Sequence, residues 1–355
     1  MSRIKVGLIG LGEVAQLMHL PLLADDPRFE IAAVTDVSPS LVDHVATRYG
    51  VPTRHASAEA LIADPALDAV FILTPDFLHA PLLEASIKAQ KHVFIEKPAA
   101  LTADELKPLV KLNQTNRKTV FVGYMRRFAP AFLALKDRLP PREEIRHVRI
   151  RDLIRESQFF VDQTRNIFRP TDVPQAAIDA GRAETQRLLK SVMGEARPDQ
   201  IRAYQVLTGL SSHSFSAMRE LFGPPIEVAA ARQHRGENVM VFFDYGTFTA
   251  LYEAVIHDVA RFDAGIDVLT LNQQFRINYD TPYIRNLPTR LEITTSELNS
   301  TKTETIGPFY EDAFRVELNA FHHAVTTGEP PKTLLSDSLA DLELFAEVGQ
   351  HFLRQ

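Results

Sequence analysis

The run Ile4-Lys5-Val6-Gly7-Leu8-Ile9, followed at once by Gly10-Leu11-Gly12-Glu13-Val14-Ala15, limits this chain to few architectures at its start. The first six residues are nearly continuous apolar sequence, the pattern of a strand buried on both faces in a parallel sheet. The next six form a G-x-G-x-x-A turn, and the pattern predicts an apolar helix from about Val14 to Leu23. Gly10 permits the tight turn, Gly12 carries no Cβ to block a pyrophosphate, and Ala15 lets helix and strand pack closely. The helix start offers N–H groups and a positive dipole end to phosphates. Glu13 and Val14 therefore join Gly10 and Gly12 as candidate cofactor-binding residues.

A second predicted strand, residues 31–35, ends at Asp36, 21 residues after Ala15. An acid there can bind both ribose hydroxyls of an adenosine, and it repels a 2′-phosphate. The following Val37-Ser38-Pro39-Ser40 holds no arginine to receive one, so NAD is expected over NADP. The alternative for Asp36 is an N-cap of the helix predicted near residues 41–49. Strand and helix then alternate: strands at 69–73, 93–95 and 120–122, helices at 79–90 and 102–116, the last opened by the capping-box pattern Thr102-Ala103-Asp104-Glu105. This β-α rhythm implies a doubly wound parallel sheet.

Glu96-Lys97-Pro98 closes the strand at 92–95. A cation at a strand's carboxyl end sits where α/β sheets bind ligands, and Pro98 restricts the backbone of Lys97. The plain alternative is a surface lysine before a turn proline. The loop Thr74-Pro75-Asp76-Phe77-Leu78-His79 belongs to the same edge.

At 355 residues the chain exceeds one ordinary core, so two domains are expected, with a boundary after residue 123. Apolar residues at 45% and charged residues at 24% are the balance of a soluble globular protein. A formal charge of -6 argues against nucleic acid as a partner. Without cysteine there is no disulfide, thiolate metal site or cysteine nucleophile. No His and carboxylate cluster has metal-ligand spacing, so no metal is expected. No basic stretch leads into an apolar signal segment, and no apolar run has membrane-spanning length, so cytoplasm is the expectation.

With these motifs in order, the sequence resembles the Gfo/Idh/MocA oxidoreductases, the family of glucose-fructose oxidoreductase and inositol dehydrogenase. Four motifs carry the likeness: Gly10-x-Gly12-x-x-Ala15, Thr74-Pro75-x-x-x-His79, Glu96-Lys97-Pro98 and Gly123-Tyr124-Met125-Arg126-Arg127-Phe128. The resemblance implies a Rossmann domain, then an α+β domain with a large, mostly antiparallel sheet used for dimers or tetramers. It implies hydride transfer between nicotinamide and a secondary alcohol or ketone of a sugar, sugar derivative or cyclitol. Carried over by position, Thr74, Pro75, His79, Glu96 and Arg127 would line the cofactor, and Lys97 would touch both cofactor and substrate. Tyr124 and Arg126 would border the substrate, for which a solvated strand exit is the alternative.

After residue 124 the β-α rhythm stops. Strands are expected at 145–155, 227–232, 239–244, 248–257, 266–271, 275–279, 290–295 and 302–306. Helices are expected at 172–195, 211–221, 311–326 and 337–353. Strands in succession imply antiparallel pairing. In Gly209-Leu210-Ser211-Ser212-His213-Ser214-Phe215-Ser216, His213 matches the family's catalytic histidine. Gly209 and Ser216 stand where the family has aspartates. Imidazole titrates near neutral pH, so His213 can serve as general acid/base without them; a helix-start histidine bonding backbone is the alternative. The segment at 279–288 resembles a loop found in part of the family, which implies that Tyr283 or Arg285 contacts substrate or a neighbouring subunit; with Pro282, Pro288 and paired aromatics, a rigid structural loop is the alternative. Two other functions stay open: an enzyme holding NAD tightly and using transient oxidation, as oxidoreductase or lyase, and a non-catalytic NAD sensor.

Overall fold

A computed structural model describes residues 3–355. The chain forms two compact units. The first joins the stretch ending at Tyr124 to Arg165–Gly194 and Glu317–Leu342. Its sheet holds β1 (Ile4–Ile9), β2 (Phe29–Thr35), β3 (Thr53–Arg54), β4 (Ala69–Ile72), β5 (His92–Glu96) and β6 (Val120–Gly123). All pairs are parallel, in the order β3-β2-β1-β4-β5-β6. The order reverses at β1, so a crevice opens at the carboxyl ends of β1 and β4, the usual ligand position in such a sheet. The expected doubly wound sheet is present, and β4 and β6 are buried along their whole length.

Phe71, Phe94 and Phe121 stack across β4, β5 and β6 at centroid separations of 4.8 and 5.4 Å. Phe321 meets all three edge-on at 5.3, 5.7 and 5.9 Å. Phe321 lies in the helix Ala313–Thr327, near the far end of the chain. A single cut after residue 123 therefore does not divide this chain. The first unit needs the apolar face of residues 317–342 to cover its aromatic row. It also recruits the helix Gln175–Met193, whose Gly181 packs so closely on Phe77 that a Cβ would lie 2.7 Å from the ring.

The second unit joins Met125–Thr164, Glu195–Val316 and Glu343–Gln355. Its strands are β7 (Ile145–Ile154), β8 (Glu227–His234), β9 (Asn238–Asp244), β10 (Thr249–Ile256), β11 (Phe262–Thr270), β12 (Gln273–Tyr279), β13 (Thr289–Glu297) and β14 (Ser300–Phe309). The order is β14-β13-β12-β11-β7-β10-β9-β8, antiparallel except where β7 meets β10. Alternation sets the faces: Val239, Val241 and Phe243 are buried while Phe242 is 46% exposed. The helix Ser212–Phe222 covers the inner face through Phe215, which packs edge-on against Phe243 and Tyr252 at 5.1 and 4.9 Å. The helices Pro130–Arg138, Ser157–Thr164 and Pro198–Val206 had no counterpart in the sequence reading.

Candidate functional site

The glycine turn is built as its composition requires. Gly10 has φ +86°, and a Cβ there would lie 2.8 Å from the Leu73 carbonyl and 2.9 Å from Thr74 N, so no side chain fits. Gly12 is different: a Cβ there would meet nothing within 4 Å. No packing within the protein demands glycine at that position, which suits a ligand approaching the backbone closely. The first helical bond runs from Gln16 N to Gly12 O, and Glu13 and Val14 form the half-buried helix start facing the turn.

Asp36 sits at the end of β2, half-buried. Its Oδ2 accepts the Leu11 N–H at 2.8 Å and its Oδ1 the Ser38 N–H at 3.0 Å. The carboxylate thereby ties the glycine turn to the second strand and keeps lone pairs for a further donor. It is not the cap of the next helix. That role falls to Ser38, whose Oγ accepts Leu41 N at 3.1 Å.

At the same carboxyl edge, Thr74 Oγ1 is buried with no hydrogen-bond partner in the protein. Orphaned hydroxyls of this kind are uncommon, and a ligand oxygen or nitrogen would satisfy one. Pro75 opens the short turn Asp76–Leu78, and the buried His79 then bridges two loops. Its Nδ1 is 2.7 Å from Pro98 O and its Nε2 2.8 Å from Thr74 O. His79 thus holds the two edge loops at a fixed spacing. The open Gly12, the orphaned Thr74 hydroxyl and the available Asp36 carboxylate together fit a dinucleotide along this edge.

Lys97 leaves β5 half-buried, with a cis peptide bond to Pro98. Beneath it lies a pair that the sequence reading missed. His19 Nε2 and Glu96 Oε1 are 2.8 Å apart, both side chains buried, while Glu96 Oε2 accepts the Lys97 N–H at 3.2 Å. Burial alone would raise the Glu96 carboxyl, but the His19 bond and charge, with the Lys97 charge and amide, bring it below the ordinary glutamate value. The available signal was a histidine set among Leu17, Met18 and Leu20 on a largely apolar helix. Tyr124, a substrate candidate, is buried at the end of the first unit's leading stretch, at 1% exposure.

In the second unit, Arg126 and Arg127 are both 4% exposed rather than solvated. Arg126 Nη1 donates to Asp152 Oδ1 at 2.6 Å and to Ser214 Oγ at 2.8 Å, and the guanidinium lies 5.2 Å from the Tyr279 ring centre. Ser214 and Tyr252 donate to the other Asp152 oxygen at 2.7 and 2.9 Å. This network anchors the helix that carries His213. Arg127 Nε donates to Glu220 Oε2 at 2.5 Å, and Lys136 shares the same carboxylate.

His213 is half-buried in the first turn of Ser212–Phe222. The preceding Leu207–Ser211 is π-helical and includes the exposed Gly209, where a Cβ would meet nothing within 4 Å. Such widened turns are frequent at functional sites. Ser216 donates back to the His213 carbonyl at 3.2 Å. Tyr283 lies half-buried in the loop between β12 and β13 and does not line the cavity bordered by Tyr279, Thr281 and Ile284.

Residues 4–124 match the family model described as "Oxidoreductase family, NAD-binding Rossmann fold". Inositol 2-dehydrogenase of Acidothermus cellulolyticus is 37% identical over 137 residues, covering 38% of this chain and 40% of that enzyme. Several such matches span about two fifths of the relatives' own length. Myo-inositol 2-dehydrogenase of Thermotoga maritima is 23% identical over 345 residues, 92% of this chain and 90% of the relative. A crystal structure of KijD10, a 3-ketoreductase from Actinomadura kijaniata in complex with TDP-benzene and NADP, superposes with a TM-score of 0.72. It has 18% identity and covers 99% of this chain and 97% of that one, a likeness of fold. Residues 4–124, the dinucleotide-binding domain of this chain, belong to the Gfo/Idh/MocA oxidoreductase family.

Proposed function

We propose that the protein is an NAD-dependent dehydrogenase acting on a secondary alcohol, or the matching ketone, of a sugar, sugar derivative or cyclitol. The observation that supports this most is the seat of Lys97. It leaves β5 at the sheet edge that also carries Gly12 and the orphaned Thr74 hydroxyl, and its backbone is fastened to the buried His19–Glu96 pair. A cation held at that edge supports a role on a substrate oxygen, because the reactive end of a dinucleotide extends along such an edge. The Asp36 carboxylate favours an unmodified ribose and hence NAD. The inositol dehydrogenases among the relatives favour a polyol or cyclitol.

A bound nicotinamide supplies the hydride chemistry. The residues supply the rest. In the oxidation direction the carbinol hydrogen leaves with its electron pair, and Lys97 donates a hydrogen bond to the substrate oxygen and stabilises the negative charge that develops there. His213 is the residue assigned as general acid/base for the hydroxyl proton. In reduction the proton returns from His213. Glu96 and His19 hold the Lys97 backbone, and His79 holds the loops on either side of it.

The test is a panel of sugars, polyols and cyclitols with NAD and NADP in parallel, followed by Lys97→Met on the best substrate. The substitution should lower kcat/KM by about a hundredfold, the scale of losing one group that stabilises a developing oxyanion. NADH affinity should change far less. Wild-type kcat/KM in the variant would overturn the role given to Lys97.

A further inference from the structure

The loop after Asp36 carries a set of donors that the dinucleotide reading does not use. Ser38 caps the helix Pro39–Tyr49, and Ser40 stands in its first turn. Their hydroxyls and the Ser40 N–H converge on one carboxylate, that of Asp172. Ser38 Oγ donates to Oδ1, Ser40 Oγ donates to Oδ1 at 2.8 Å, and Ser40 N donates to Oδ2 at 2.9 Å. These three bonds, that of Ser38 first, hold the Asp172 carboxyl down to about 2, so it is ionised at any working pH.

Asp172 arrives from more than 130 residues away along the chain, on a segment that is itself fastened to the glycine turn. Gln16 exchanges two hydrogen bonds with the Phe168 backbone: Phe168 N donates to Gln16 Oε1, and Gln16 Nε2 donates to Phe168 O, each at 3.0 Å. The same Gln16 donates to Leu11 O at 3.1 Å, and the Phe168 ring stacks on His44 at 4.5 Å. Asp172 is therefore positioned by the Rossmann unit rather than hanging over it.

Two hydroxyls and an N–H at a helix start are the donor chemistry that receives phosphate. They also sit where a particular phosphate would arrive. Ser38 N is bonded to Asp36, the acid placed for the adenosine ribose, and the 2′-phosphate of NADP projects from that ribose beside the acid. We propose that Asp172 is a cofactor-selectivity residue: its carboxylate occupies the donors a 2′-phosphate would need, so Asp36 and Asp172 together reject NADP. The proposal rests on the dinucleotide reading of the glycine turn and adds a second, sequence-distant acid to it.

Equilibrium binding of NADH and NADPH, followed by fluorescence titration, tests it without need of a substrate. Wild type should bind NADH at least about tenfold tighter than NADPH, a difference of roughly 1.4 kcal/mol. Asp172→Ala should improve NADPH binding about tenfold while leaving NADH nearly unchanged, and the isosteric Asp172→Asn should give a smaller gain in the same direction. A residue that merely caps the helix predicts otherwise: a lower Tm in both variants with the NADPH to NADH ratio unmoved. That result, or equal wild-type affinity for the two dinucleotides, would overturn the proposal. Wild type that binds neither would instead refute the dinucleotide reading, and the selectivity role with it.

Discussion

The roles of single residues here depend on what lies beneath them. Lys97 stands out in the sequence, yet its footing is the buried His19–Glu96 pair. Removing one partner of a buried pair leaves the other desolvated without compensation, at a cost of about 3–5 kcal/mol. His19→Leu should therefore lower the urea-unfolding stability by about that amount at neutral pH. The pH dependence has a definite sign. Glu96 is held below its ordinary value, so its contribution is complete above the unfolded glutamate pKa of about 4.3 and is lost as pH falls through the lower folded value. The gap between wild type and His19→Leu should narrow on acidification below about pH 4.3, measured as urea midpoints at about pH 7 and about pH 3. A gap that stays constant with pH would show that the pair contributes by packing alone. The conspicuous arginines show the limit of reading residues one at a time. The family resemblance sets Arg127 at the cofactor and Arg126 at the substrate, with solvated cations as the alternative, but both are buried against acids that the local sequence could not name, Asp152 and Glu220.

Elements were legible wherever their signals are local. The strand at 4–9, its glycine turn and the strand ending at Asp36 stand where the periodicity places them. The capping box at Thr102 is present in full: Thr102 Oγ1 accepts the Glu105 N–H at 3.2 Å, and Glu105 accepts the Thr102 N–H at 3.1 Å. Thr102→Ala should cost about 1 kcal/mol, read as a lower Tm, because the cap satisfies an amide that burial would otherwise leave open. An unchanged Tm would mean that neighbouring groups replace the cap. The short helix Pro198–Val206 escaped notice because its length carries few periodic repeats and its polar residues resemble a loop. The π-helical turn at Leu207–Ser211 was also hidden. Widening a helix by one residue leaves hydrophobic spacing almost unchanged, so nothing in the composition marks it. The choice of helix cap after β2 was decided by geometry: Asp36 and Ser38 are both good caps, and the chain uses Ser38 for the helix and Asp36 for the turn.

At the scale of the whole chain, the first unit is discontinuous, and its core shows why. Phe321 closes the aromatic row of Phe71, Phe94 and Phe121 from the far end of the sequence. Phe321→Ala should destabilise this unit by about 3–5 kcal/mol, as large-to-small changes in a packed aromatic core do. A fragment ending at residue 123 should expose that row and lack near-UV dichroism; a fragment with native-like near-UV bands would show that residues 317–342 are dispensable. The sequence by itself determined the Rossmann architecture, the glycine turn and the run of strands in the second unit. Each of those is encoded in residues within a few positions of one another, through backbone freedom, capping and hydrophobic period. Only the tertiary structure decided which distant segments complete the units: Phe321 over the aromatic row, His19 under Glu96, and Asp172 on the serines after Asp36. Those contacts join residues tens to hundreds of positions apart, and their identity depends on how the chain folds back on itself.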